Sequence, residues 1–96
     1  MINPIVKRCA GLDVHKMLVV ATIQAEQDDG SIAEITESFG TFRKNRHQLC
    51  RWLKKHEVKM VVLESTGIYW KSIYRSLEAA DLETFMFEGS KENYAQ

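Results

Sequence analysis

The sequence predicts an α/β domain built on a five-stranded mixed sheet, with three antiparallel strands followed by an α-β-α-β succession. Three observations predict it. Short apolar runs separated by turn residues fill the first forty positions, two stretches with 3.6-residue apolar spacing come next, and a short apolar run follows each of those stretches. The 96 residues are 45% hydrophobic with no net charge, which suits a folded core and excludes disorder. A chain of this length buries about two-thirds of its unfolded surface, enough for one small domain.

Val6 to Asp13 mixes β-branched and apolar residues and ends at a carboxylate; Met17 to Ile23 is a nearly continuous apolar run suited to a central strand. Asp13-Val14-His15-Lys16 is the turn between them, and Gln27-Asp28-Asp29-Gly30 leads to a third strand over Ser31 to Phe39. In that strand Ile32 and Ile35 lie an odd number of positions apart, so strict alternation sends them to opposite faces, which a bulge or an edge position tolerates. Asn45, with Gln48 three residues on, is the candidate N-cap of a helix whose Leu49, Trp52 and Leu53 form one apolar stripe and which ends near His56. Lys59 to Glu64 is a short strand, with Met60 expected in the core together with the Trp52 stripe. Ser65 or Thr66 caps a second helix carrying Tyr69, Ile73 and Leu77 at i, i+4, i+8, with Trp70 and Tyr74 on its flank; Tyr69 and Trp70 read first as core aromatics and second as base-stacking rings. Gly67 suits a close backbone approach or tight packing, and Glu83 to Phe87 is the last strand.

If the fourth strand returns beside the first, both run parallel in the middle of the sheet, and Asp13 and Glu64 stand side by side at their C-terminal ends. Two carboxylates held a few ångströms apart repel, so one is protonated or a cation sits between them. Hard oxygen donors without cysteine or well-spaced histidine favour Mg²⁺ or Mn²⁺ over zinc. Such ions clamp the attacking and leaving oxygens of a phosphodiester displacement, which points to phosphoryl transfer on nucleic acid. Ordinary solvent-exposed strand-end acids are the alternative.

The zero net charge argues against a freestanding basic nucleic-acid binder, yet it conceals segregation. Between Arg43 and Lys59 there are seven cations, Arg51, Lys54 and Lys55 among them, against the single anion Glu57. Glu26 to Glu37 holds five anions and no Lys or Arg, and Glu78 to Glu92 holds five anions against Lys91. The basic helix is either a solvated face or a nucleic-acid-facing surface. Cys9 and Cys50 show no CxxC spacing and read as buried, reduced thiols. The N-terminal MINPIVKRC carries charges where a signal peptide has its apolar segment, and the longest uninterrupted apolar run, Met17 to Ala21, is far below the roughly 18 residues a membrane span needs. A soluble, cytoplasmic protein is expected.

Gly11-Leu12-Asp13-Val14-His15-Lys16, then Phe42 and the Leu49/Trp52-Leu53 helix, then Val62-Leu63-Glu64-Ser65-Thr66-Gly67-Ile68-Tyr69-Trp70-Lys71, together closely resemble the N-terminal domain of the IS110/IS1111-type transposases. The motifs G-[IL]-D-V-H-K and E-S-T-G-x-Y-W occur in the family's order at compatible spacing, and the resemblance covers roughly residues 9 to 88. It implies a RuvC-like, ribonuclease-H-type fold with a D-E-D-D acidic set, of which Asp13 matches the first member and Glu64 the second, both as Mg²⁺ ligands. It further implies DNA as partner, a structured guide RNA in some members, and a homo-oligomer in the full-length protein.

The family's third and fourth acids come later, in a K-T-D-x-x-D-A type segment, and a further domain supplies a serine implicated in strand exchange; this chain ends at Gln96 with neither. Glu88 to Asn93 also departs from the family's Asn-Pro or Asn-Ala stretch. The expectation is therefore a partial domain over residues 1–96, with Mg²⁺ weakly held and negligible activity in isolation. Within the motifs, His15 either positions Asp13 or contacts a metal-bound phosphate, Lys16 meets the scissile strand or is solvated, and Ser65 and Thr66 cap the helix or offer its N-terminus to a phosphate. A non-catalytic interaction module is the alternative to a transposase fragment. A sugar-kinase or actin-like ATPase lobe shares the topology but needs a glycine-bearing phosphate turn where Val14-His15-Lys16 stands.

Overall fold

The computed structural model describes residues 8–65 and 67–87. Strands β1 (Arg8–Val14), β2 (Val19–Glu26) and β3 (Ile32–Phe39) come first, followed by α1 (Arg43–Lys55), β4 (Met60–Ser65), α2 (Trp70–Ala79) and β5 (Glu83–Phe87). They form one five-stranded sheet in the order β3-β2-β1-β4-β5. β2 is antiparallel to β1 and β3, whereas β4 is parallel to β1 and β5. The mixed sheet expected from the sequence is the one observed.

Alternation along the strands assigns the two faces of the sheet. Ala10, Leu12 and Val14 of β1, Val19, Ala21 and Ile23 of β2, and Val61 and Leu63 of β4 are buried, and they share one core with Leu49, Cys50 and Leu53 of α1 and Ile73 and Leu77 of α2. Both helices therefore cover the same face. Gly11, Asp13, Val62 and Glu64 fall on the other face and are exposed, as are Phe85 and Phe87 of β5. β3 is an edge strand, and its Ile32 and Ile35 are both exposed, at 57% and 42%, which resolves their odd spacing without a bulge.

The turns follow local chemistry. The four-residue connection from β1 to β2 is closed by the His15 amide donating to the Leu18 carbonyl at 2.8 Å. Between β2 and β3, Gly30 takes φ 89°, a conformation glycine supplies without a side-chain clash. Beside it the Asp29 carboxylate accepts from the Ser31 hydroxyl at 2.6 Å and the Ser31 amide at 2.9 Å, and these bonds, the hydroxyl's first, hold the carboxyl below its ordinary range.

Both helices end the same way. Glu57 and Asp81 sit one residue past the C-caps His56 and Ala80, at φ 60° and 63°. The amide of the following residue reaches back to the helix, Val58 to the Leu53 carbonyl at 3.0 Å and Leu82 to the Leu77 carbonyl at 3.1 Å. This is the Schellman arrangement with its apolar clasp, since Val58 and Leu53, and Leu82 and Leu77, are all buried. Glycine is the favoured residue at the left-handed position, so Asp81→Gly is expected to stabilise the fold by about 0.5–1 kcal/mol, read as a higher urea midpoint at unchanged slope.

Several local expectations are corrected. α1 begins two residues before Asn45, with Phe42 at the cap position and no side-chain cap; Asn45 lies inside the first turn and donates to Gln48 at 3.3 Å. Tyr69, not Ser65, is the cap residue of α2, because Ser65 still belongs to β4 and its hydroxyl is engaged with the backbone of Gly67. Tyr69 is 42% exposed and Met60 37%, so neither is a core residue, while Trp70 and Trp52 do pack against the core. The missing Cβ at Gly67 accommodates the Tyr69 ring, the nearest ring carbon lying 3.0 Å from where a Cβ would be. Cys9 is half-buried and Cys50 buried, both as free thiols. Among the described residues no helix is long and apolar enough to cross a membrane.

Candidate functional site

The parallel pairing of β1 with β4 places Asp13 directly opposite Glu64. Adjacent strands lie about 4.8 Å apart, so the two carboxylates leave neighbouring backbones on the same side. Both are next to last in their strands, at the carboxyl ends of the parallel pair, where open α/β sheets commonly bind ligands. The register extends the row across the sheet: Val20 flanks Asp13 on β2, and Phe87 flanks Glu64 on β5. Together with Gly11, Thr22 and Val62 these residues line an open groove of about 390 Å³ on the face the helices leave free.

His15 lies in the turn just beyond β1, and its Nε2 is 3.3 Å from Oδ2 of Asp13. Both side chains are more than half exposed, so the contact orients Asp13 rather than desolvating it. Lys16 follows in the same turn, exposed, with its carbonyl accepting from the Thr41 hydroxyl at 3.4 Å. A β-carbon at Gly11 would meet no heavy atom within 4 Å, so the floor of the groove beside Asp13 is open. Among the described residues no group of three or more His, Cys, Asp or Glu is arranged to hold a metal ion; Asp13 and Glu64 stand as a pair.

The other residues singled out from the sequence are dispersed. Ser65 is only 3% exposed and faces the helix side, opposite to its neighbour Glu64, with its hydroxyl holding the turn to Gly67. Thr66, and the Glu88 to Asn93 stretch, lie outside the described residues. Arg51, Lys54 and Lys55 are exposed on the outer side of α1, across the sheet from the carboxylates. Sequence reasoning missed Phe87 and Gly11 as groove residues. Register would have found Phe87, since it occupies on β5 the position that Glu64 occupies on β4.

No protein-family model matches the chain, and no curated protein matches it in sequence. Solved structures do match it in fold. Thermus thermophilus RuvC superposes with a TM-score of 0.61 at 12% identity, over 83% of this chain and 63% of RuvC. The fowlpox virus resolvase, solved with its substrate Holliday junction DNA, gives 0.57 at 15% identity, over 83% of this chain and 58% of the resolvase. An exopolyphosphatase from Cytophaga hutchinsonii gives 0.59 at 12% identity, over 90% of this chain and 36% of that protein. The chain thus spans less than two-thirds of each of these proteins, and what they share with it is a RuvC-like, ribonuclease-H-type fold.

Proposed function

We propose that the chain is the N-terminal part of an insertion-sequence transposase or recombinase acting on DNA phosphodiesters in the cytoplasm, residues 1–96 forming a partial RuvC-like domain. Asp13 and Glu64 hold Mg²⁺ or Mn²⁺. The observation that carries this reading is the in-register pairing of Asp13 with Glu64 at the carboxyl ends of two parallel strands. The G-L-D-V-H-K and E-S-T-G-I-Y-W motifs support it because they contain these two acids, and so does the RuvC-like fold. Two hard, exposed oxygen donors side by side fit part of the shell of a hard cation, whose remaining positions fall to water, substrate phosphate or further acids.

Bound there, the ion supplies Lewis-acid stabilisation of charge developing on a phosphodiester oxygen. The chain's own residues do the positioning. His15 orients Asp13, the bare backbone at Gly11 lets a strand approach β1, and Phe87 offers an exposed apolar wall on the Glu64 side. Lys16 meets substrate phosphate from the turn above Asp13, and the Ser65-Thr66 pair of the E-S-T-G-I-Y-W motif adds hydroxyls for the same backbone. Arg51, Lys54 and Lys55 contact nucleic-acid backbone on the other side of the sheet. The partners are DNA, a guide RNA as in some members of the resembled family, and further copies of the full-length protein.

A second reading, a catalytically dead interaction module, is favoured by the exposed apolar strip that Met60, Val62, Phe85 and Phe87 make beside the carboxylates. Reading the genomic DNA past codon 96 separates the two. A downstream D-x-x-D segment, in frame or reached by a frameshift, is the expected result; its absence leaves the two acids without the rest of a catalytic set and favours the module.

A further inference from the structure

A concavity of about 700 Å³ lies away from the carboxylates, between the outer faces of α1 and α2. α1 contributes Arg43, Arg46, His47 and Arg51 to it, spaced so that they project from one side of the helix, and α2 contributes Arg75 and Ser72. Arg46 fixes the floor: its Nε donates to the Ser76 hydroxyl at 3.0 Å and one Nη to the Thr41 carbonyl at 2.7 Å, tying α1 to α2 without a carboxylate. Among the described residues the ion pairs within 4 Å are Arg8 with Glu57 and His15 with Asp13, so none of the groove's arginines is paired to an acid. Cys50 lines the groove below, where burial pushes its thiol up and its Sγ donates to the Ser76 carbonyl.

Four arginines converging on one groove, with no acid paired to them among the described residues, make a concentrated positive potential, and the ligand that matches it is a chain of regularly spaced anions. Guanidinium groups pair with phosphate through forked hydrogen bonds, and serine hydroxyls and histidine add sequence-independent contacts of the kind made to a nucleic-acid backbone. The carboxylates face away across the sheet, in a body whose shortest extent is 20 Å. A phosphodiester at Asp13 and Glu64 therefore cannot be the one in this groove.

We infer that the α1–α2 groove is a second nucleic-acid site, which binds the phosphodiester backbone of a strand other than the one presented to Asp13 and Glu64. It rests on the nucleic-acid reading given above for Arg51 and extends it to a built groove, but it does not depend on the metal assignment at those two acids. The occupant is recognised through its phosphates, so DNA and RNA of equal length bind alike, and the contact is salt-sensitive.

Fluorescence anisotropy with labelled 20-nucleotide single strands of DNA and RNA, titrated with the 96-residue chain over a range of salt concentrations, tests this. Arg75→Ala is expected to weaken binding about fivefold at low salt and to flatten the logarithmic salt slope by about 0.7–0.9, one phosphate contact. Arg51→Ala behaves alike. Lys59→Ala removes the same charge from an exposed site outside the groove and leaves affinity within about twofold. Equal losses from Arg75→Ala and Lys59→Ala would overturn the inference, as would a preference beyond about tenfold between DNA and RNA, which backbone recognition does not produce. Salt-sensitive self-association relieved by Arg75→Ala, without nucleic-acid binding, would assign the groove instead to the acidic β2–β3 edge of a second copy.

Discussion

Asp13→Asn is expected to weaken the binding of Mn²⁺ by this chain about tenfold or more, measured by calorimetry or by the paramagnetic relaxation of nearby nuclei. The wild type binds weakly, with a dissociation constant on the order of millimolar, because two carboxylates alone leave most of a hard cation's coordination to water. Asparagine preserves the size of the side chain and one oxygen but removes the charge, so affinity falls about tenfold or more, at least what loss of an outer-shell partner costs. Glu64→Gln does the same. The double variant is barely worse than either single one, since both acids serve one ion and the first substitution already breaks the site. That non-additivity separates a shared site from diffuse attraction. Asp28→Asn, in the distant β2–β3 turn, removes an equal charge and leaves binding unchanged. Because Asp13 is 61% exposed at its side chain, the urea midpoint of Asp13→Asn stays close to wild type, within about 0.5 kcal/mol, and lost binding cannot be ascribed to unfolding. Equal binding by wild type and Asp13→Asn would remove the acid pair as a metal site.

The sequence places Asp13 beside Glu64 only on the condition that β4 returns next to β1; period-2 runs, two helical stretches and the handedness of crossovers allow that order, and the observed sheet supplies it. β1 also announces its faces, Ala10, Leu12 and Val14 alternating with Gly11 and Asp13. β4 does not. Met60-Val61-Val62-Leu63 is apolar throughout, so the exposure of Met60 and Val62 is set by a free sheet face that no local pattern marks. The helix starts depart from the local signal for a related reason. Asn45 and Ser65 are good capping residues, but α1 begins at Arg43 and Ser65 is held in β4, and tertiary position overrode the local signal in both cases. The basic segment announces the α1 side of the groove, Arg43, Arg46 and Arg51, but nothing in one dimension announces Arg75, which lies far off in sequence and meets them only after both helices dock on the same face. What sequence periodicity conveys is which residues share an element and a face; what it leaves out is which separate elements converge.

Leu53→Ala is expected to be the most destabilising single truncation on α1, by about 3–4 kcal/mol. Leu53 is fully buried in the core shared by β1, β2, β4 and both helices. Its backbone carbonyl accepts the Val58 amide at 3.0 Å, and its side chain forms one half of the clasp that ends α1. Alanine keeps, and slightly improves, intrinsic helix propensity, so the loss reports packing and not local helix formation. A 96-residue domain is stable by about 5–10 kcal/mol, and the truncation removes a third or more of that, lowering the melting temperature by roughly 12–30 °C. Leu18→Ala, at a residue 43% exposed in the β1–β2 turn, costs less than about 1 kcal/mol. Trp52 on α1 and Trp70 on α2 both pack against this core, and they report the transition independently. If the domain unfolds as one unit, tryptophan fluorescence and far-ultraviolet circular dichroism give coincident curves in Leu53→Ala as in the wild type. The carboxylate pair and the arginine groove are then lost together, because the strands that align Asp13 with Glu64 and the helices that bring Arg46 to Ser76 rest on the same buried side chains. Separate transitions would mean that α1 detaches first, and nucleic-acid binding at the groove would then fail at a lower temperature than metal binding at Asp13 and Glu64.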